Sequence, residues 1–78
     1  MPTVMRIGPY RFMFFASDKD EPPHVHAKRD ECQAKIWLDP LELGNNAGFA
    51  EHELNKVLDL TRRHRDFLLR KWHEFFHN

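Results

Sequence analysis

Apolar and polar positions alternate through the first half of the chain, and the period then lengthens. Val4–Ile7 is a short apolar run, Gly8-Pro9 marks a turn, and Tyr10–Ala16 is dense in strand formers. Tyr10, Phe12, Phe14 and Ala16 share one face of that run; Arg11, Met13 and Phe15 share the other. A β-hairpin is expected. Both faces of its second strand are largely apolar, which suits a central strand or one whose far face meets another element. Ser17–Pro23 is a polar, proline-ended loop. His24–Arg29 and Gln33–Leu38 alternate again, with Asp30-Glu31 as a two-residue turn between them. Asp39-Pro40 turns the chain once more, Leu41–Leu43 fits a short edge strand, and Gly44–Gly48 reads as a loop.

From Phe49 to His77 the pattern is helical. At 100° per residue Leu54, Val57, Leu58, Thr61, Arg65, Leu68, Leu69, Trp72, Phe75 and Phe76 fall within about 60° of one direction. A single helix of about 28 residues would be about 42 Å long, more than so small a domain requires. It either protrudes or breaks near Thr61–Arg65. The expected fold is α+β: a small antiparallel sheet of three to five strands packed against a long C-terminal helix or helix pair, as one domain over residues 1–78.

Composition changes this picture little. With 78 residues, of which 41% are hydrophobic and 31% charged, the chain is expected to fold around one modest core. A net charge of zero removes any global pull toward nucleic acid or membrane. The basic residues nonetheless concentrate at the end, with five Lys/Arg against two Asp/Glu in residues 61–78. One cysteine, Cys32, excludes an intrachain disulfide. No apolar run suits a signal peptide or approaches the roughly 20 residues of a membrane span, so a cytoplasmic location is expected.

The turn at Asp30-Glu31 fixes a register with chemical consequences. It sets Val25 opposite Ile36 and Ala27 opposite Ala34, an apolar set for the core. The reverse face then carries His24 opposite Trp37, His26 opposite Lys35, and Lys28 in the same row. Two imidazoles can act as acid and base near neutral pH, Lys35 can stabilise a phosphate, and Trp37 can stack on a base. These are the parts of a metal-independent ribonuclease. A half-exposed, merely solvated strand face explains the same residues. H-x-H on a strand also suits two ligands of a zinc-type ion. Cys32 and the acids Asp20 and Glu21 are poorly placed to complete such a site, so neither metal nor cofactor is assigned.

His64 and Arg65 interrupt the helix stripe. Arg65 falls near its centre and His64 at its edge, either snorkelling to water or forming one wall of the histidine site. Arg62 and Arg63 add a basic run that suits RNA phosphates or a plain solvated turn. His52, His73 and His77 read as surface residues.

The run MFFASDKDE followed by Pro22-Pro23-His24-Val25-His26, with His64-Arg65 and Trp72 in the helix, resembles a small bacterial family of unknown function, numbered 4160. The likeness spans essentially the whole chain. It departs at Arg29–Cys32, where the family often has a glycine turn, and at Ala50, where a proline often opens the helix. The resemblance implies strands followed by C-terminal helix and a toxin–antitoxin role beside a small protein partner. It points to Pro22, Pro23, His24, His26, His64, Arg65 and Trp72. The residues and the resemblance together suggest a toxin–antitoxin-type protein with a ribonuclease site of His24, His26, Lys35, His64 and Arg65. Lys28, Trp37, Arg62 and Arg63 would hold the RNA, and a homo-oligomer is compatible. The alternatives are a non-catalytic interaction module docking through the Met13/Phe15 face or the long helix, and a transition-metal-binding domain.

Overall fold

The computed structural model describes residues 3–76. Five strands, β1 (Thr3–Ile7), β2 (Tyr10–Met13), β3 (His24–Arg29), β4 (Cys32–Leu38) and β5 (Leu41–Ala47), form an antiparallel meander in sequence order. Two helices follow, α1 (Glu51–Arg63) and α2 (Arg65–Phe76). The α+β class is as expected, and the helix pair is the version adopted.

The β3–β4 register matches the pattern of the sequence. Val25 faces Ile36, Ala27 faces Ala34, His24 faces Trp37 and His26 faces Lys35. Asp30 occupies the left-handed region at φ 53°. Aspartate is one of the few side chains tolerated there, so the turn closes in two residues without glycine.

Three elements depart from the pattern. β2 stops at Met13, because Asp18 draws the chain into a short 3-10 helix over Ala16–Asp20. Its carboxylate accepts from the Phe15 N–H at 2.9 Å, and its own N–H donates to the Phe15 carbonyl at 2.9 Å. β5 runs on to Ala47 through Gly44-Asn45-Asn46, despite their low strand propensity. The open edge of β4 supplies a partner that overrides it. The long helix breaks at His64. There the Thr61 hydroxyl donates to the Val57 carbonyl and the His64 ring to the Leu60 carbonyl, so side chains compete with the backbone ladder. The expected helix end at His77 lies outside the described residues.

The core fills the space between one sheet face and the helices. Phe12, Val25, Ala27, Ala34, Ile36 and Leu38 meet Phe49, Val57, Leu68 and Trp72. On α1, Val57 and Thr61 are the deepest residues; Leu54 and Leu58 are only half-buried. Asn46 seats Phe49 by a two-way bond, donating to its carbonyl at 3.0 Å and accepting from its N–H at 3.2 Å. Glu53 at the start of α1 is gripped by Arg29 through Nε and Nη2, both at 2.7 Å, and by the Tyr10 hydroxyl at 2.8 Å. The bidentate fork and the buried phenol tie α1 to β2 and β3.

Two outcomes follow. Leu68 is fully enclosed, so Leu68→Ala should cost about 2–5 kcal/mol in urea denaturation. An unchanged midpoint would mean that α2 does not pack as described. The Glu53 carboxyl is held below its ordinary value by hydrogen bonds, first from Arg29 and then from Tyr10. Its folded pKa is therefore the lower one. The stability it contributes is present above the unfolded value of about 4.3 and is lost as the pH falls through the folded value. Glu53→Gln should be less stable than wild type at pH 7, with the gap closing in acid. A gap that is constant with pH would show that the carboxylate charge is not what holds α1.

Candidate functional site

His24 and His26 are not the half-exposed pair that strand alternation suggests. His24 has no exposed surface and His26 only 8%. The cover comes from outside the hairpin. Phe15, leaving β2, lays its ring against His26 at 4.3 Å between centroids. Trp72 of α2 approaches His24 at 5.2 Å, and Trp37 meets it edge-on at 5.1 Å. Trp72 therefore packs on Phe14 within the core and on a histidine of the reverse face. Gly44 makes room for Trp37, since a Cβ there would lie 3.0 Å from the indole Nε1.

The double proline has a specific task. The Pro22 carbonyl lies 2.9 Å from His24 Nδ1, and the Pro23 carbonyl accepts the Leu38 N–H at 3.0 Å. A carbonyl oxygen only accepts, so Nδ1 carries the hydrogen and Nε2 points inward.

What lies inward is Asp18. Its Oδ2 is 3.2 Å from His24 Nε2 and 3.3 Å from His26 Nε2. Asp18 was missed in the sequence because it is one of three acids in a polar loop, and only the 3-10 helix turns it inward while Asp20 stays exposed. Although both contacts are short, neither is aligned as a hydrogen bond, and both Nε2 atoms and His26 Nδ1 are buried without a partner. Burial pushes the His26 pKa below its ordinary value, more than the adjacent Asp18 carboxylate raises it.

The other expected site residues divide. Lys35 remains beside this group, ion-paired to Glu21 at 2.6 Å, with its ammonium 4.4 Å from the centre of the Trp37 ring. That hydrogen bond holds the Glu21 carboxyl below its usual range. Lys28 and Arg11 face each other across β2 and β3. With Arg6, Pro9, Arg29 and Asp30 they line a concavity of about 270 Å³. His26 and Lys35 share walls of a second one, about 360 Å³, with Glu31, Gln33, Asn45 and Ala47.

His64 and Arg65 do not join the histidines. The His64 ring is spent on the Leu60 carbonyl, while Arg65 donates to the Leu38 carbonyl and reaches Asp39 at 2.9 Å. Among the described residues no hydrogen bond, ion pair or ring contact links either to His24 or His26. Arg62 and Arg63 pair with Asp59 on α1. His52 and His73 are exposed, as expected, and His77 lies outside the described residues. The Met13/Phe15 docking face is also absent: Met13 is buried and Phe15 covers His26.

A five-stranded meander closed on one face by a helix pair, with a buried Asp-His-His group on the other, defines a small α+β domain. The chain belongs to a family described as a domain of unknown function (DUF4160), whose model matches residues 10–73. No curated protein and no solved structure matches it. Among the described residues no helix is long and apolar enough to cross a membrane.

Arg65 is thus a clamp on the β4–β5 turn. Arg65→Ala should lower stability by about 1–3 kcal/mol, because the Leu38 carbonyl loses a charged donor. It should leave the environment of the histidine rings unchanged. A chemical-shift change in the ring protons of His24 or His26, as large as that at Leu38, would place Arg65 back in the site.

Proposed function

We propose that the chain is a small RNA-binding member of a toxin–antitoxin-type pair, with the end of the reverse sheet face beyond the covered histidines as its binding surface. The supporting observation is the row Arg6, Arg11 and Lys28, which stand on facing rungs of β1, β2 and β3. Among the described residues none of the three forms an ion pair with a carboxylate, and Arg11 Nε is buried without a partner. A phosphodiester needs cations not already neutralised, and these are so in a chain of zero net charge. Gln33 and Asn45 beside the row offer donors and acceptors for base edges. Trp37 is the less ready element, since Lys35 already lies over its ring. Binding is favoured over cleavage by the two histidines, because His24 has no exposed surface and His26 only 8%, so the pair cannot act together as acid and base on a polymer's 2′-hydroxyl. The toxin–antitoxin setting follows from family resemblance, and β5, an edge strand with Leu43 exposed, offers a backbone edge to a small protein partner.

The test is fluorescence anisotropy with a labelled single-stranded RNA across a salt series. Three phosphate contacts predict a slope of log K against log salt of about −2. Arg11→Ala with Lys28→Ala should reduce it to about −0.7, while Arg62→Ala with Arg63→Ala should leave it unchanged. Absence of binding at low salt, or a double sheet variant that binds like wild type, would remove the RNA reading.

A further inference from the structure

We propose that Asp18, His24 and His26 bind a divalent first-row transition cation of the zinc class. One ligand atom from each of the three residues lies within 4.8 Å of the other two, and all three residues are buried. The spacing is that of ligands. A tetrahedral ion with bonds of about 2.0 Å separates its donors by about 3.3 Å. Asp18 Oδ2 is 3.2 Å from one imidazole nitrogen and 3.3 Å from the other.

The chemistry of the donors points the same way. His24 holds its hydrogen on Nδ1 for the Pro22 carbonyl, so in the neutral ring Nε2 presents a lone pair. That lone pair faces a carboxylate oxygen, and two lone pairs at 3.2 Å repel unless a positive centre lies between them. A cation supplies it. The outer contact from ring to backbone carbonyl is the arrangement that fixes a metal-ligating histidine. The Phe15 N–H donates to the ligating oxygen itself, Asp18 Oδ2, at 2.9 Å, which fixes its position and leaves its second lone pair for the ion. Both unpartnered Nε2 atoms would be satisfied by one ion.

Imidazole and carboxylate together select zinc, iron(II), cobalt(II) or nickel over magnesium or calcium, which prefer all-oxygen sets. Cys32 plays no part, lying at the far end of the hairpin opposite Arg29. Three protein ligands leave one tetrahedral position for water or another oxygen donor. The proposal does not depend on the RNA reading.

The experiment is calorimetric titration of the chelator-stripped, dialysed full chain with zinc chloride, repeated with cobalt and magnesium chlorides, with melting temperature followed in parallel. One zinc or cobalt per chain is expected, with a raised melting temperature and no response to magnesium. His24 is fully buried and its variants risk unfolding, so the ligand test uses Asp18→Asn and His26→Gln, each first shown folded by circular dichroism. Each should weaken zinc binding at least tenfold, while His73→Gln leaves it unchanged. No heat and no melting shift at millimolar zinc would overturn the proposal. So would one-to-one binding that survives both ligand variants, or magnesium binding as tight as zinc; the cluster would then be a structural polar group only.

Discussion

The two-residue turn at Asp30-Glu31 is the constraint on which the rest depends. A strand alternates its side chains strictly, so a slip of one residue in β3 would turn His24, His26 and Lys28 toward the helices and expose Val25 and Ala27. The left-handed aspartate at the corner prevents that slip. With the register held, the apolar pairs Val25–Ile36 and Ala27–Ala34 form the floor of the core, and Val57 and Leu68 close it. The imidazoles are then committed to the reverse face. Arg29 follows from the same register: as the last residue of β3 it reaches Glu53 and fixes where α1 begins.

How far the sequence predicts each part depends on the range of the forces that set it. The β3–β4 hairpin is legible because period-two alternation and a short turn are local. The helix break is legible as a region, since an unbroken stripe would outrun the domain, but its position depends on which carbonyls Thr61 and His64 capture. The extension of β5 was hidden, because Gly44, Asn45 and Asn46 have poor strand propensity and only the vacant edge of β4 recruits them. The burial of the histidines was hidden for a related reason. Phe15 is turned over His26 where the chain leaves β2 for the 3-10 helix, Trp72 comes from a position forty-eight residues beyond His24, and neither is encoded in the hairpin. Arg65 was legible as a half-buried cation; its target, the Leu38 carbonyl, required the sheet and helix to be docked.

The buried polar group is costly for a domain this small. An unpartnered polar atom away from water costs roughly 1–3 kcal/mol, and the net stability of such a core is only about 3–5 kcal/mol. An apolar pair at His24 and His26 would pack beside Phe15, Trp37 and Trp72 without that cost. Pro22, by contrast, spends its carbonyl on orienting one ring, and the Phe15 N–H orients the carboxylate. A ring held from behind and a carboxylate oxygen fixed by a backbone N–H, with Nε2 and Oδ2 converging, are arranged for something that enters between them. A neutral hydrogen-bonded network would instead have aligned Nε2 with Oδ2.

The cationic row and the Asp-His-His group are neighbours on one ladder. Arg11 faces Lys28 and Met13 faces His26, two residues along the same pair of strands. That separation is about 7 Å, inside the Debye length of about 8 Å at physiological salt. Occupation of the cluster by a divalent cation would change its charge by two units, from the single negative charge of Asp18 to a net positive one. The field over Arg11 and Lys28 would rise accordingly, favouring a phosphate there. By linkage, an anion seated on that row would tighten the cation's site by the same factor. With both occupied, the two surfaces would reinforce each other in sign, and the coupling would act through the field across the shared β2–β3 ladder without any change of shape.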